Sequence, residues 1–415
     1  MNAKKLFIAV ALFCGILPTY LVRFSIPIPG THIALPTTLL EVVFWIVFFS
    51  WLTTNGREKD AWRSLDHWAA PITLFIVGAT IGFIISPNIL GALGLWRAYV
   101  LEPILFFVMF TDVLTKQKRG GAVLAALGTT LAVVGVIACV QKITGIGIPL
   151  AWQAVATRRV TAFYGFPNAI GLFAAPVTVL MAGWTLALAT DKDNRRKIFS
   201  ILTLVATILG VCGIIFAVSQ GAMVGAAAGL ITLGLIDKRT RPWTLGVIIA
   251  ACIATMTVRP IRDEISILAS LRDDSGSVRQ IIWKETAAML ADHPVFGAGL
   301  DSYRERILPY HETKYIEIFM YPHNIILNFW SETGLIGLVG FFWIVIMFFV
   351  TTVRLLKKKN AAVWPTGALI AAMVALLVHG LVDVPYFKND LAILFWIIIG
   401  LAEVLRRLND NARLA

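Results

Sequence analysis

Charge is scarce in this sequence: 14% of its 415 residues are Asp, Glu, Lys or Arg, while 58% are hydrophobic. A water-soluble domain carries about 25% charged residues, so a soluble globule is excluded. Cysteine is almost missing. The four present, Cys14, Cys139, Cys212 and Cys252, lie inside apolar runs without CxxC spacing, which rules out a zinc ribbon or a disulfide framework. No internal repeat and no inverted pair of broken helices recurs along the chain, the device on which many transporters are built. The long segment 259–322 also lacks a DxD-like metal cluster. Asp273-Asp274 is followed by Ser-Gly-Ser and reads as a turn, so neither metal nor cofactor is expected. After Lys4-Lys5 and the apolar Leu6 to Leu17 no small-residue cleavage site follows; the start reads as an uncleaved first span.

What is abundant is apolar sequence in runs of membrane-spanning length. They fall near 6–24, 33–52, 68–86, 97–115, 121–143, 163–189, 198–218, 221–236, 243–258, 323–353, 363–382 and 390–405. The expected fold is an all-α integral membrane protein of about 12 transmembrane helices. The net charge of +12 would suggest nucleic acid in a soluble protein, but in a membrane protein it marks cytoplasmic loops, and no nucleic-acid partner is expected. With the N-terminus inside, most basic residues fall in inside segments: Lys4 and Lys5; Arg57, Lys59 and Arg63; Lys116, Lys118 and Arg119; Lys192 and Arg195 to Lys197; Lys238, Arg239 and Arg241; Arg354 and Lys357 to Lys359; Arg406, Arg407 and Arg413. Both termini are therefore expected in the cytoplasm. Three parts follow: a bundle over 1–258, a long outer loop over 259–322, and three helices over 323–415.

The long loop mixes both signs of charge. Val278, Ile281, Ile282 and Met289 have helical spacing, with Ser275 or Ser277 as N-cap. His293-Pro294 stops this helix, Gly297-Ala298-Gly299 makes a turn, and a short helix is expected near 301–308. The first helix is expected to lie on the outer membrane face, with Trp283 as its anchor at the interface. The loop closes with Tyr321-Pro322-His323-Asn324. Pro322 suits a helix start, which puts His323 at the membrane interface, where it can accept a proton from a hydroxyl. Glu332, about 13 Å deeper at the helical rise, does not share its site. His379 and Asp383 are four apart and share a helix face. Arg158 and Arg159 lie near the outer surface and would serve equally as interfacial anchors.

Ser277-x-Arg279, Trp283, Pro294, Gly297-x-Gly299, His323-Asn324-x-x-Leu327 and Glu332-x-Gly334-x-x-Gly337, in that order, resemble the O-antigen ligase and O-antigen polymerase superfamily over about 205–345. Arg159 to Asn168 and His379 to Asp383 resemble further elements of it. The resemblance implies a GT-C-like, metal-independent glycosyltransferase in the cytoplasmic (inner) membrane. Its donor would be a glycan on undecaprenyl diphosphate, and its acceptor a glycolipid, glycan or protein hydroxyl. It implies His323 as general base and Arg279 as the cation on the diphosphate, with Arg158, Arg159, Gln220 and Asp383 binding substrate. At Ser219-Gln220-Gly221 the family often has Ser-Arg-Gly, so Gln220 departs from its pattern. The alternatives are a polysaccharide polymerase of the same superfamily and, from another class, a secondary transporter or flippase.

Overall fold

The computed structural model describes residues 2–27, 30, 34–118, 120–189, 193–271, 274–313, 315–358 and 362–414. Arg119, Lys192 and Lys359 of the basic segments, and Asp273, lie outside the described residues. The helices are α1 (Ala3–Gly15), α2 (Leu39–Thr54), α3 (Ser64–Ile84), α4 (Ile89–Gln117), α5 (Gly121–Thr144), α6 (Pro167–Ala189), α7 (Asn194–Phe216) and α8 (Gln220–Ile236). They continue with α9 (Arg241–Thr257), α10 (Arg259–Ala269), α11 (Asp274–Asp292), α12 (Tyr303–Arg306), α13 (Ile325–Leu356), α14 (Val363–Gly380) and α15 (Asn389–Leu414). Among the described residues seven helices are long and apolar enough to cross a membrane, and α2, α8 and α9 are apolar but shorter. The chain is an all-α, multi-pass membrane protein.

The first two apolar runs are interrupted. Pro18 lies in a short 3-10 turn after α1, and an antiparallel hairpin follows, β1 (Arg23–Pro27) with β2 (Ala34–Thr38). The expected spans at 6–24 and 33–52 are therefore shorter helices flanking a hairpin. Pro36 keeps its segment extended, and α2 opens only where Thr38 and Glu41 form a reciprocal capping box. In α4, Pro103 has no N–H to give, and the Tyr99 carbonyl accepts the Tyr386 hydroxyl instead, at 2.8 Å. A π-turn spans Arg97–Leu101 just before it.

α15 is apolar on every side from Leu391 to Ile399 and buried throughout, the pattern of a central strut. α3 and α13 make the closest approach: Gly78 rests on the backbone of Gly337, and Gly82 on the carbonyl of Glu332. Small residues at the crossing allow this contact, as in membrane helix pairs generally.

α13 is broken at Gly334, whose φ of 66° and ψ of −178° are open to glycine alone. The segment 294–301 fills the break. The Leu335 amide donates to the Val295 carbonyl (2.8 Å), and the Ser331 carbonyl accepts from Ala298 (2.7 Å) and Gly299 (3.1 Å). The Glu332 carboxylate accepts from the Asp301 amide at 2.8 Å. Glu332 is thus the seat of this plug. α11 starts at Asp274, which places Ser275 and Ser277 inside the helix rather than at its cap. Met289 and Leu290 pack with Ala298, Tyr303 and Ile307 into a small core, and Trp283 donates its indole N–H to the Pro322 carbonyl.

Candidate functional site

The site forms where α13 begins. Asn324 is its N-cap: its side-chain oxygen accepts the amides of Ile326 (2.9 Å) and Leu327 (3.1 Å). Its Nδ2 donates to the Leu381 carbonyl at 2.9 Å. One asparagine thus caps α13 and pins it to the turn after α14. Pro322 does not open the helix; its carbonyl accepts the Trp283 indole N–H at 2.9 Å.

His323, between them, has a left-handed φ of 49°, which turns its ring toward Asp383. Nδ1 lies 3.3 Å from the Asp383 carboxylate, and the rings of Phe319 and Tyr321 flank the imidazole. Burial pushes the Asp383 carboxyl up, but the hydrogen bond and charge of His323, the charge of His379 and the Val384 amide outweigh it and hold it at about 2. An ionised carboxylate only accepts, so Nδ1 carries the proton toward Asp383. Whenever the ring is neutral, Nε2 is therefore the nitrogen that keeps its lone pair. α14 ends at Gly380, so Asp383 belongs to the turn and does not continue the helical face of His379, as the four-residue spacing had implied.

Two adjoining cavities open beside this pair. One, of about 240 Å³, is lined among others by Arg159, Gln220, Arg279, His379 and Asp383. The other, of about 320 Å³, is lined by Val278, Ile282, Phe319 and His323, and shares Asn168, Ser275 and Arg279 with the first. Arg279 reaches both from α11, one turn before Trp283. Among the described residues it makes no hydrogen bond, and its Nε is buried and unpartnered. His379, 1% exposed and packed on Gly221, also has an unpartnered Nδ1. Buried donors without acceptors are rare in folded proteins. Here two unpartnered buried nitrogens, one of them a guanidinium donor, belong to residues that line one cavity.

Arg159 fixes the wall opposite. Its Nε donates to the Ala217 carbonyl (2.9 Å), and its Nη2 to the Val218 carbonyl (3.1 Å) and to Asn168 (3.0 Å). Its guanidinium lies 5.0 Å from the Trp152 ring centre. These bonds hold the turn before α8, so that Ser219, Gln220 and Gly221 present the positive end of that helix to the cavity. Arg158 is not there. Its guanidinium donates to the carbonyls of Lys142 (3.0 Å), Ile143 (3.1 Å) and Gln153 (3.3 Å), capping the C-terminal end of α5 and facing away.

The structure thus brings five of the six expected residues together: His323, Asp383, Arg279, Arg159 and Gln220. It adds His379, Asn168 and Ser275 to them. Asn168 carried a signal, the Pro-Asn that opens α6; Ser275 carried none beyond its capping chemistry. Among the described residues no three His, Cys, Asp or Glu side chains converge to hold a metal.

A basic cavity with an oriented histidine meets the comparison with known families at this point. Residues 205–342 match the family model described as O-antigen ligase. Over that third of its length the chain is similar to the O-antigen ligase family. No curated protein matches the chain. The O-antigen ligase match takes in Gln220, Arg279 and His323. Arg159, Asn168, His379 and Asp383 lie outside it and reach the same cavity through the fold. The match supports an enzyme of the ligase or polymerase type at this coarse level.

Proposed function

We propose that the protein transfers a glycan from undecaprenyl diphosphate to an acceptor hydroxyl at the outer face of the cytoplasmic membrane. The observation that carries this reading is the pairing of the His323–Asp383 dyad with the unpartnered Arg279 at one shared cavity. His323 Nε2 takes the proton of the acceptor hydroxyl, and the oxygen attacks the anomeric carbon. The bond from that carbon to the diphosphate oxygen breaks as the new one forms. Arg279, Arg159 and the α8 N-terminus neutralise the departing diphosphate, and Asp383 keeps the imidazole aimed and balances its charge. Gln220 offers the phosphate a neutral donor where the family often has an arginine, so more of the burden falls on Arg279.

In this reading the chain crosses the membrane about 12 times with both termini inside, and 259–322 faces out. The charge balance of the connecting segments supports it. A polymerase of the same superfamily would use the same dyad; only the acceptor differs.

The test is glycan transfer from purified undecaprenyl-diphosphate donor in membranes, with host lipid, glycan and protein fractions scored as acceptors, with and without chelator. His323→Ala is expected to lose about 10²–10⁴-fold and Arg279→Ala to lose a comparable factor, while wild-type transfer resists chelation. The labelled fraction assigns the acceptor. Equal product from correctly inserted His323→Ala and wild type refutes the mechanism.

A further inference from the structure

A cavity larger than either of those just described lies elsewhere in the molecule. It measures about 450 Å³ and lies across the 381–389 turn from the dyad, walled by the β1–β2 hairpin, the first turns of α4, the loop residue Asp301 and Asn389. Its polar side chains include Arg23, Thr37, Glu41, Arg97, Asp301 and Asn389. Most are locked in place. The Glu41 carboxylate accepts from the Thr37 hydroxyl (2.7 Å), the Thr38 amide (2.9 Å), Arg97 (2.8 Å) and Asn389 (2.6 Å). Asp301 is held through its amide by Glu332 and through its carboxylate by Asn88, at 2.8 Å each. The Arg23 side chain makes no hydrogen bond among the described residues. On the rim, Phe24 and Leu90 are 43% and 62% exposed.

The charge pattern decides the ligand class. Two arginines face two carboxylates, so the cavity has no net attraction for a phosphate, unlike the basic cleft beside it. A lipid chain would leave its four charged side chains without water or a polar partner on that side. Rigid amide, carboxylate and guanidinium groups next to exposed apolar side chains suit a ligand with many hydroxyls and an apolar face. That ligand is a sugar ring. The two sites are close. Asp383 and Asn389 are six residues apart, at most about 20 Å along extended chain. Lys388 between them feels the charges of both Asp383 and Arg23.

We infer that this second cavity binds sugar residues of the glycan substrate a few units from the bond being made. The inference rests on the transferase reading and extends it. The sugars belong either to the acceptor or to the far end of the donor glycan, and experiment separates the two.

Gly94 supplies the probe. It lines the cavity, and a Cβ placed on it meets nothing within 4 Å. Gly94→Trp therefore adds bulk at the cavity wall from a position with room for its first side-chain carbon, and loss of glycine favours the helix. The same change at Gly246, which also faces open space but lines neither cavity, is the control. Gly94→Trp is expected to keep the wild-type thermal midpoint and kcat and to raise one KM about tenfold, the signature of lost ground-state binding. A rise in acceptor KM assigns the acceptor's sugars. A rise in donor KM that grows with donor glycan length assigns the donor's. A folded Gly94→Trp with both KM values unchanged overturns the inference. Should wild type transfer nothing, the transferase reading falls separately. The cavity is then judged by binding of fluorescent oligosaccharide, released by mild acid from the host's lipid-linked glycans, to purified wild type and Gly94→Trp. Equal binding overturns the inference there too, and weaker binding to the variant sustains it.

Discussion

At Asp383 burial and its partners pull in opposite directions, and the partners win. A carboxyl held at about 2 against an ordinary 3.8 contributes stability that is fully present above about pH 4 and lost as pH falls through 2. The contribution is on the order of 2 kcal/mol. Asp383→Asn keeps the shape and removes the charge. Its thermal midpoint in detergent should lie below wild type at pH 6–7, with the gap closing between pH 4 and 2. A gap that is constant across that range would mean the carboxylate is not stabilised by its ionised form. Transfer by the same variant should fall at least about a hundredfold, because the imidazole loses the group that fixes its tautomer. Much of this was legible beforehand. His323 and Arg279 stand in short local motifs whose order the fold preserves. Arg158 and Arg159 were not separable, since adjacent residues on an irregular segment point in different directions, and only the fold shows that Arg158 caps α5. Asn324 was a better helix-start signal than Pro322, because its side chain can accept the first free amides while proline merely tolerates their absence.

The decisive element is α13. Its break at Gly334 sets the depth of Glu332 and opens the gap that 294–301 fills. A Cβ at Gly334 would meet the Val295 carbonyl at 2.6 Å in a conformation other residues avoid. Gly334→Ala is therefore expected to cost about 2–4 kcal/mol, read as a lowered thermal midpoint. It should also lower transfer, since the plug is continuous with α11, which carries Arg279. Wild-type stability in this variant would show that the break is not needed. Hydropathy detected the helix as one uninterrupted run because Gly334 and Gly337 are apolar by composition. Similarly, the end of α14 at Gly380 was hidden: the four-residue spacing of His379 and Asp383 looks helical whether or not the helix continues. The shortened first two spans follow from Pro18 and Pro36, whose effect on hydrogen bonding hydropathy does not register.

For the whole molecule, sidedness is the property on which the proposed chemistry depends. Tyr315 is 86% exposed in the segment read as facing out. In a Cys252→Ser background, Tyr315→Cys should be labelled in intact cells by a membrane-impermeant thiol reagent, and Lys5→Cys only after permeabilisation. The reverse pattern would put the cavity on the cytoplasmic side and end the proposed reaction. The architecture around it was legible as a class, because the apolar runs are many and the basic residues partition between them. The convergence of Arg159, His379 and Asp383 on a cavity with Arg279 was not, since it joins segments far apart along the chain.

The plugged break in α13 also dictates a timetable for assembly. As the chain leaves the ribosome, α3 is made early and already offers the Gly82 carbonyl that Leu300 will take. The segment 294–301 must then wait for Ser331, Glu332 and Leu335 before its remaining partners exist. Conversely, α13 cannot satisfy its interrupted backbone within the bilayer until that segment has folded back into it. The two therefore lock together in one late step, and a nascent chain arrested before residue 335 holds every residue of the site up to His323 but not the clasp that keeps them in register.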